Sequence, residues 1–153
     1  MKHSIEQLRS VISYVPESGL FIRKSGKTSK GTINSSGYLI IRVLNHSYSA
    51  HRLGWFLQHG EVPPYLDHIN LDKTDNRSSN LRAATRTQNK ANSNVRSDSL
   101  TGLKGVKTNR GKFIATITEQ GKRYHLGTFD TAEMAHCAYR GASIIMFGEF
   151  ARP

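Results

Sequence analysis

Between Tyr65 and Asn92 three side chains, the adjacent pair Asp67-His68 and then Asn89, have types that could together do hydrolytic chemistry, with Asn80 on the polar run between them. A carboxylate and an amide oxygen can share one divalent cation, and a neighbouring imidazole can take a proton from water. Together these are the requirements of metal-assisted phosphodiester hydrolysis, in which the cation offsets charge on the phosphoryl and leaving oxygens. The competing reading of "YLDHINLDKTDNRSSNLRAATRTQNKAN" is a long polar surface loop, because Asn, Asp and Ser favour turns and caps.

Bringing residues up to 22 positions apart into one site requires a particular set of elements. Asp67-His68 closes a hydrophobic lead-in that reads as a strand end. "LRAAT" reads as a second short strand, and Thr85-Arg86-Thr87-Gln88 has capping-box spacing, which puts Asn89 in the first turn of a helix. Upstream, Ser4 and Gln7 form another capping box, with Ile5, Leu8, Val11 and Ile12 at helical intervals. "ESGLFIRK" and "GYLIIRVL" read as strands entered through glycines. His51 to His59 reads as a helix with Leu53, Trp55, Phe56 and Leu57 on its apolar side, stopped by "GEVPP". His51 is expected to pack or cap, and Asp72 and Asp75 to turn the loop. Arg77, Arg82 and Arg86 are open between phosphate contact and a solvated face.

Asn92 to Gly102 is poor in apolar residues and reads as a linker, giving domains at 1–95 and 101–153. Beyond it the spacing predicts three short strands, "LKGVKT", "KFIATITE" and "KRYHLGTF", turned at Asn109-Arg110-Gly111 and Gln120-Gly121. A capping box at Asp130 opens a helix whose Ala135, Ala138, Ala142, Ile145 and Met146 form an apolar stripe ended by Gly148. Cys137 is expected to be a small core residue.

The 153 residues carry 22 Lys and Arg against 11 Asp and Glu, a formal charge of +11. The excess runs along the whole chain, which points to a polyanionic partner, most often nucleic acid. A single cysteine excludes an intramolecular disulfide and fits a reducing compartment. No apolar run is long enough to span a bilayer, so the expectation is a cytoplasmic protein with no membrane and no implied protein partner.

From about Gly37 to Asn92 the words "HRLGWF", "VPPYLDHINLDKTDNRSSNLRAATRTQN" resemble the HNH endonucleases, especially the phage and intron-encoded homing type. The resemblance implies a ββα-metal (His-Me finger) region. It makes Asp67 a metal ligand, His68 the general base, Asn80 the residue that pins the loop and orients the histidine, and Asn89 the second metal ligand. Asn89 stands where many relatives carry a final His. Amide and carboxylate oxygens are hard donors, which suits Mg²⁺, with Mn²⁺ as the alternative, better than Zn²⁺.

Thr101 to Ala151 resembles the plant ethylene-response-factor (APETALA-type) DNA-binding domain in the words Lys-Gly-Val, Gly-Lys-Phe, Leu-Gly-Thr-Phe, Thr-Ala-Glu and Ala-Tyr. That likeness implies a three-stranded antiparallel sheet backed by one helix, with the open face in the major groove of double-stranded DNA. Strand alternation puts Lys112, Ile114, Thr116 and Thr118 opposite Phe113, Ala115 and Ile117. The residues implied to touch DNA are Lys104, Lys107, Arg110, Lys112, Arg123 and His125, with Thr116 and Thr118 as additions. Lysine reads guanine less well than arginine, so the plant target sequence does not carry over.

The reading is an α+β chain: a ββα-metal HNH region followed by a sheet domain that supplies affinity and position. The expected activity is a DNA endonuclease using one divalent cation, of the homing type. The alternatives are a DNA-binding regulator with an inactive HNH region, and an RNA-binding module, which lacks a stacking-aromatic motif here.

Overall fold

The computed structural model describes residues 1–152, and the chain divides into two compact units, Met1–Ala84 and Thr85–Pro153. Both are built from short antiparallel sheets and helices, an α+β organisation.

In the first unit, helix α1 (Ile5–Arg9) starts at the Ser4/Gln7 capping box. The helical spacing predicted through Ile12 stops early. The Ser10 amide closes onto Glu6 O and Leu8 O, and Ile12 opens strand β1 (Ile12–Val15), paired with β2 (Leu20–Arg23). Ile12 is β-branched and almost fully buried at this strand position, so tertiary burial overrides the local periodicity. Strand β3 (Thr28–Ser29) adds to β2. A second sheet holds β4 (Thr32–Ile33), β5 (Leu39–Val43) and β6 (His46–Ser49) in the order β4-β5-β6. Helix α2 (Ala50–His59) ends on Gly60 at φ 82°. Its Leu53 and Leu57 join Leu8, Ile12, Phe21, Ile41, Val43 and Tyr48 in one core. Strands β7 (Tyr65–His68) and β8 (Leu81–Ala84) then pair antiparallel around a long connection that ends in a 3-10 turn, Ser78–Asn80.

The second unit begins with α3 (Arg86–Ala91), opened by the Thr85/Gln88 capping box. It continues through β9 (Val106–Asn109), β10 (Lys112–Glu119), β11 (Lys122–Phe129) and α4 (Ala132–Phe147). The sheet order is β9-β10-β11, and α4 packs on it over Val106, Ala115 and Ala135, with Phe113, Leu126 and Phe129 at the edges. At Gly105 the approach of α4 requires glycine: at φ +76°, a Cβ there would lie 2.0 Å from Tyr139 Cδ2.

Further expectations change, beginning with the start of α4, where Thr131 in place of Asp130 is the N-cap and its side chain accepts from Met134 N. The units divide at Ala84/Thr85, ahead of the expected linker, because α3 packs with α4 and the 3-10 turn Gly148–Phe150 and shares hydrogen bonds with Lys104. The inner stripe of α4 runs through Ala135, Tyr139, Ser143 and Phe147, leaving Ile145 86% exposed. Larger rings at Tyr139 and Phe147 fill the space that alanine spacing was expected to fill. Cys137 is exposed, not core. No described helix is long and apolar enough to cross a membrane.

Candidate active site and nucleic-acid interface

Asp67 and His68 end β7, and both are buried, at 4% and 5% exposure. Register sets their neighbours: Asp67 lies across from Arg82 and His68 across from Leu81. Arg82 Nε donates to Asp67 Oδ2 at 3.0 Å, a largely shielded ion pair made by direct cross-strand facing. One guanidinium nitrogen and one carboxylate oxygen are used in that bond.

The His68 ring is oriented by Asn76. His68 Nε2–H donates to Asn76 Oδ1 at 3.2 Å, and Asn76 Nδ2 donates to Thr74 O at 3.2 Å, which fixes the amide with its oxygen toward the ring. A proton on Nε2 leaves the basic lone pair on Nδ1. Burial pushes the His68 pKa down from 6.5, against the opposing pull of Asn76 and the carboxylates Asp67, Asp72 and Asp75. The imidazole is therefore neutral at neutral pH, the state a general base needs.

Asn76 was singled out by no role in the sequence, although it sits in the Asp-Asn-Arg word of the HNH resemblance. The signal that identifies it is tertiary. Tyr14 Oη donates to Asn76 O at 2.7 Å, and the β1–β2 hairpin presses its Gly19 so close that a Cβ would meet Asn76 C at 2.7 Å. The N-terminal hairpin thus holds the residue that aims His68.

Asn80 pins the loop. Its Oδ1 accepts from Asn70 N at 3.0 Å, while Nδ2 donates to Asn70 Oδ1 at 2.9 Å and Asp75 O at 2.8 Å. Its own carbonyl accepts from Ile69 N, one residue past His68. Asp72 closes a turn onto Thr74, and Asp75 is held by Asn70 Nδ2 and by Arg77 through two guanidinium nitrogens. Those Arg77 bonds hold the Asp75 carboxyl down at about 2. The expected turn-forming role of Asp72 and Asp75 is what the geometry has. Arg77 is committed to Asp75 and Arg82 to Asp67.

His51 packs, as expected, and it does so against the site. Its ring lies edge-on to His68 with centroids 5.0 Å apart, and Tyr38 lies 5.1 Å from it. It is 7% exposed, and Nδ1 is buried without a hydrogen-bond partner among the described residues. Burial first, and the neighbouring His68 second, push its pKa down to about 3.

Asn89 lies half-buried on α3 of the second unit. A carboxylate and an amide oxygen fit a hard cation such as Mg²⁺, which keeps several waters and takes one or two protein ligands. Among the described residues, no three His, Cys, Asp or Glu side chains cluster for a metal.

On the sheet of the second unit, register places Lys107 beside Ile114 and Asn109 beside Lys112, with His125 beside Thr116 and Arg123 beside Thr118. A bulge between Ala115 and Thr116 shifts the alternation, so His125 and Thr128 share one face, 3.4 Å apart. Strict alternation along the strand misses Thr128 for this reason. Lys107, Arg110, Lys112, Arg123 and His125 are exposed, Arg110 at the β9–β10 turn with φ 48° and Lys112 paired with Asp130. Lys104 departs from its expected role. Its Nζ donates to Ala91 O, Ser93 O and Arg152 O at 2.5, 2.8 and 2.8 Å, so its three protons are directed at protein carbonyls rather than outward. Burial, then Arg152, lower its pKa to about 8.

Comparison with known proteins places this geometry in context. Residues 48–91 match the family model described as HNH endonuclease. An uncharacterized HNH endonuclease of Acanthamoeba polyphaga mimivirus is 31% identical over 127 residues, spanning 81% of this chain and 66% of its own length. Protein 3.8 of Escherichia phage T7 is 28% identical over 102 residues, 64% of this chain and 84% of its own. A solved structure, "DNA binding and cleavage by the HNH homing endonuclease I-HmuI", is 23% identical and covers 87% of this chain and 79% of that one, with a TM-score of 0.49. The chain thus spans just under two thirds of the mimivirus relative's length.

Proposed function

We propose that this chain, which carries an HNH endonuclease domain over residues 48–91, is a metal-dependent DNA endonuclease. His68 takes the proton from the attacking water through Nδ1, while Asn76 keeps Nε2 protonated and the ring aimed. Asp67 and Asn89 would hold one divalent cation, Mg²⁺ or Mn²⁺. When bound, it supplies charge stabilisation for the phosphoryl and leaving oxygens. Arg82 offsets the Asp67 charge, and Asn80 keeps the loop after His68 in one conformation.

The basic sheet face of Lys107, Arg110, Lys112, Arg123 and His125 binds duplex DNA, by phosphate neutralisation and base-edge contact in the major groove. Support comes from the exposure of all five and from the α4-backed three-stranded sheet, the arrangement of an ethylene-response-factor-type domain. A positioning surface separate from the hydrolytic one fits site-specific cutting of the homing type.

The observation that carries the reading is the buried, neutral His68 beside Asp67, with its ring nitrogen held by Asn76. A plasmid-nicking assay with and without chelator tests it, with Mg²⁺ and Mn²⁺ each restoring cleavage. Duplex binding without any cutting in either metal would make the chain a DNA-binding regulator instead.

A further inference from the structure

Lys104 is a half-buried cation that the proposed reaction leaves without a role. We propose that it is a positioning residue for Asn89: a clamp on the short helix that carries the candidate second metal ligand. The inference rests on the reading of Asn89 as a ligand.

Helix α3 has six residues, Arg86–Ala91, too few to be stable by its own hydrogen bonds. Its first turn is closed locally by the reciprocal Thr85/Gln88 capping box. Its last turn has carbonyls with no intrahelical donor, as every helix end does. Ala91 O and Ser93 O, at that end, are two of the three acceptors converging on Lys104 Nζ, and Arg152 O near the chain's end is the third. A cation at a helix C-terminus also meets the negative end of the peptide dipoles. Ala91 is itself buried at 5% exposure, two residues and about 3 Å of helix rise beyond Asn89. Any shift of this helix end carries Asn89 with it.

The clamp is anchored at its other end as well. The Lys104 carbonyl lies 3.1 Å from His136 Nδ1 on α4, and the next residue, Gly105, is packed under the Tyr139 ring. Lys104 therefore ties the ligand helix to the sheet-and-α4 body of the second unit. Metal ligands must be held to within a fraction of an ångström, so a residue acting at this distance can set metal affinity without touching the metal.

The test compares Lys104→Met, Asn89→Ala and the double variant in the full chain. Three readouts are Mn²⁺ affinity by calorimetry without DNA, amide hydrogen exchange of residues 86–91, and the salt dependence of duplex binding. Lys104→Met is expected to weaken Mn²⁺ binding about 10-fold, the low end for loss of an outer supporting contact. It should also speed exchange in α3 and leave the salt slope unchanged. In the Asn89→Ala background the same change should add no further loss of affinity. Equal losses in both backgrounds, or unaltered metal binding in Lys104→Met while Asn89→Ala is impaired, overturn the clamp alone. A salt slope lowered by about one with metal binding intact overturns it in favour of a phosphate contact. Asn89→Ala binding metal as the wild type does overturns the ligand assignment and the clamp with it. Should Lys104→Met fail to fold, Lys104→Gln, which keeps a shorter donor group, is expected to give a smaller shift in the same direction, and no shift overturns the proposal.

Discussion

The connection from Ile69 to Asn80 and the open face of the β9-β10-β11 sheet are both polar, and they use their polar groups in opposite ways. In the connection, Asn70, Asp72, Asp75, Asn76 and Asn80 bond to one another, to the backbone and to His68. On the sheet, Lys107, Arg110, Arg123 and His125 point away from the core that Val106, Ala115 and Ala135 make with α4. A segment with few apolar side chains gets its rigidity from satisfied hydrogen bonds. A sheet backed by a helix gets rigidity from packing, which leaves its outer face available to a partner. Polar residues of the connection therefore fix geometry, whereas those on the sheet stay exposed, as the proposed DNA contact requires.

The sharpest way to break this contrast is His68→Ala. Single-turnover cleavage should fall about 10²–10⁴-fold, the usual scale of a general base, while duplex binding by gel shift stays at the wild-type level. Cleavage at the wild-type rate would remove His68 from the reaction. Asn80→Ala is next: it leaves Asn70 and Asp75 backbone groups without their partner, costing about 1–3 kcal/mol in denaturant unfolding. Cleavage should drop further than stability accounts for, because Ile69 and Asn70 flank the base.

Acid comes third. His51 stays neutral down to about 3 when folded but titrates near 6.5 when unfolded, so the unfolded chain binds the extra proton between those values. Stability is full above pH 6.5 and declines as pH falls through that window, by about 2 kcal/mol at pH 5 from this group. His68, also lowered by burial, adds in the same direction. His51→Phe should flatten the acid limb of a pH–stability curve; an unchanged limb would mean His51 titrates normally. The smallest effect belongs to the sheet: Lys107→Ala should reduce the log–log salt slope of duplex binding by about one and leave the cleavage rate at saturating DNA unaltered. A changed saturated rate would mean the two surfaces are not separable in function.

Much of this was legible in advance. Two of the three capping boxes, at Ser4 and Thr85, have the reciprocal bonds that their spacing implied, whereas α4 is capped by Thr131 and Asp130 pairs with Lys112 instead. The three C-terminal strands and the helix after Thr131 lie where period and turn residues put them. What was not legible follows one pattern. Ile12 fits a helical period and a strand period equally, and only the partner strand decides between them. Ile145 continues an alanine stripe in sequence, yet Tyr139, Ser143 and Phe147 take the inner positions. His125 and Thr128 look opposed until the bulge opposite Ala115 and Thr116 is known.

Residue type and spacing alone pointed to the proposed set, Asp67, His68, Asn80 and Asn89, and to the basic sheet, because chemistry and secondary-structure period are properties of the local chain. Tertiary structure alone decided that Asn76 aims His68, that His51 is buried against its ring, and that Lys104 holds α3. Those roles depend on hydrogen bonds and ring contacts 8, 17 and 13 residues apart. An amide, an imidazole or an ammonium reads the same in sequence whether it faces water, a phosphate or a carbonyl; only the fold supplies the partner.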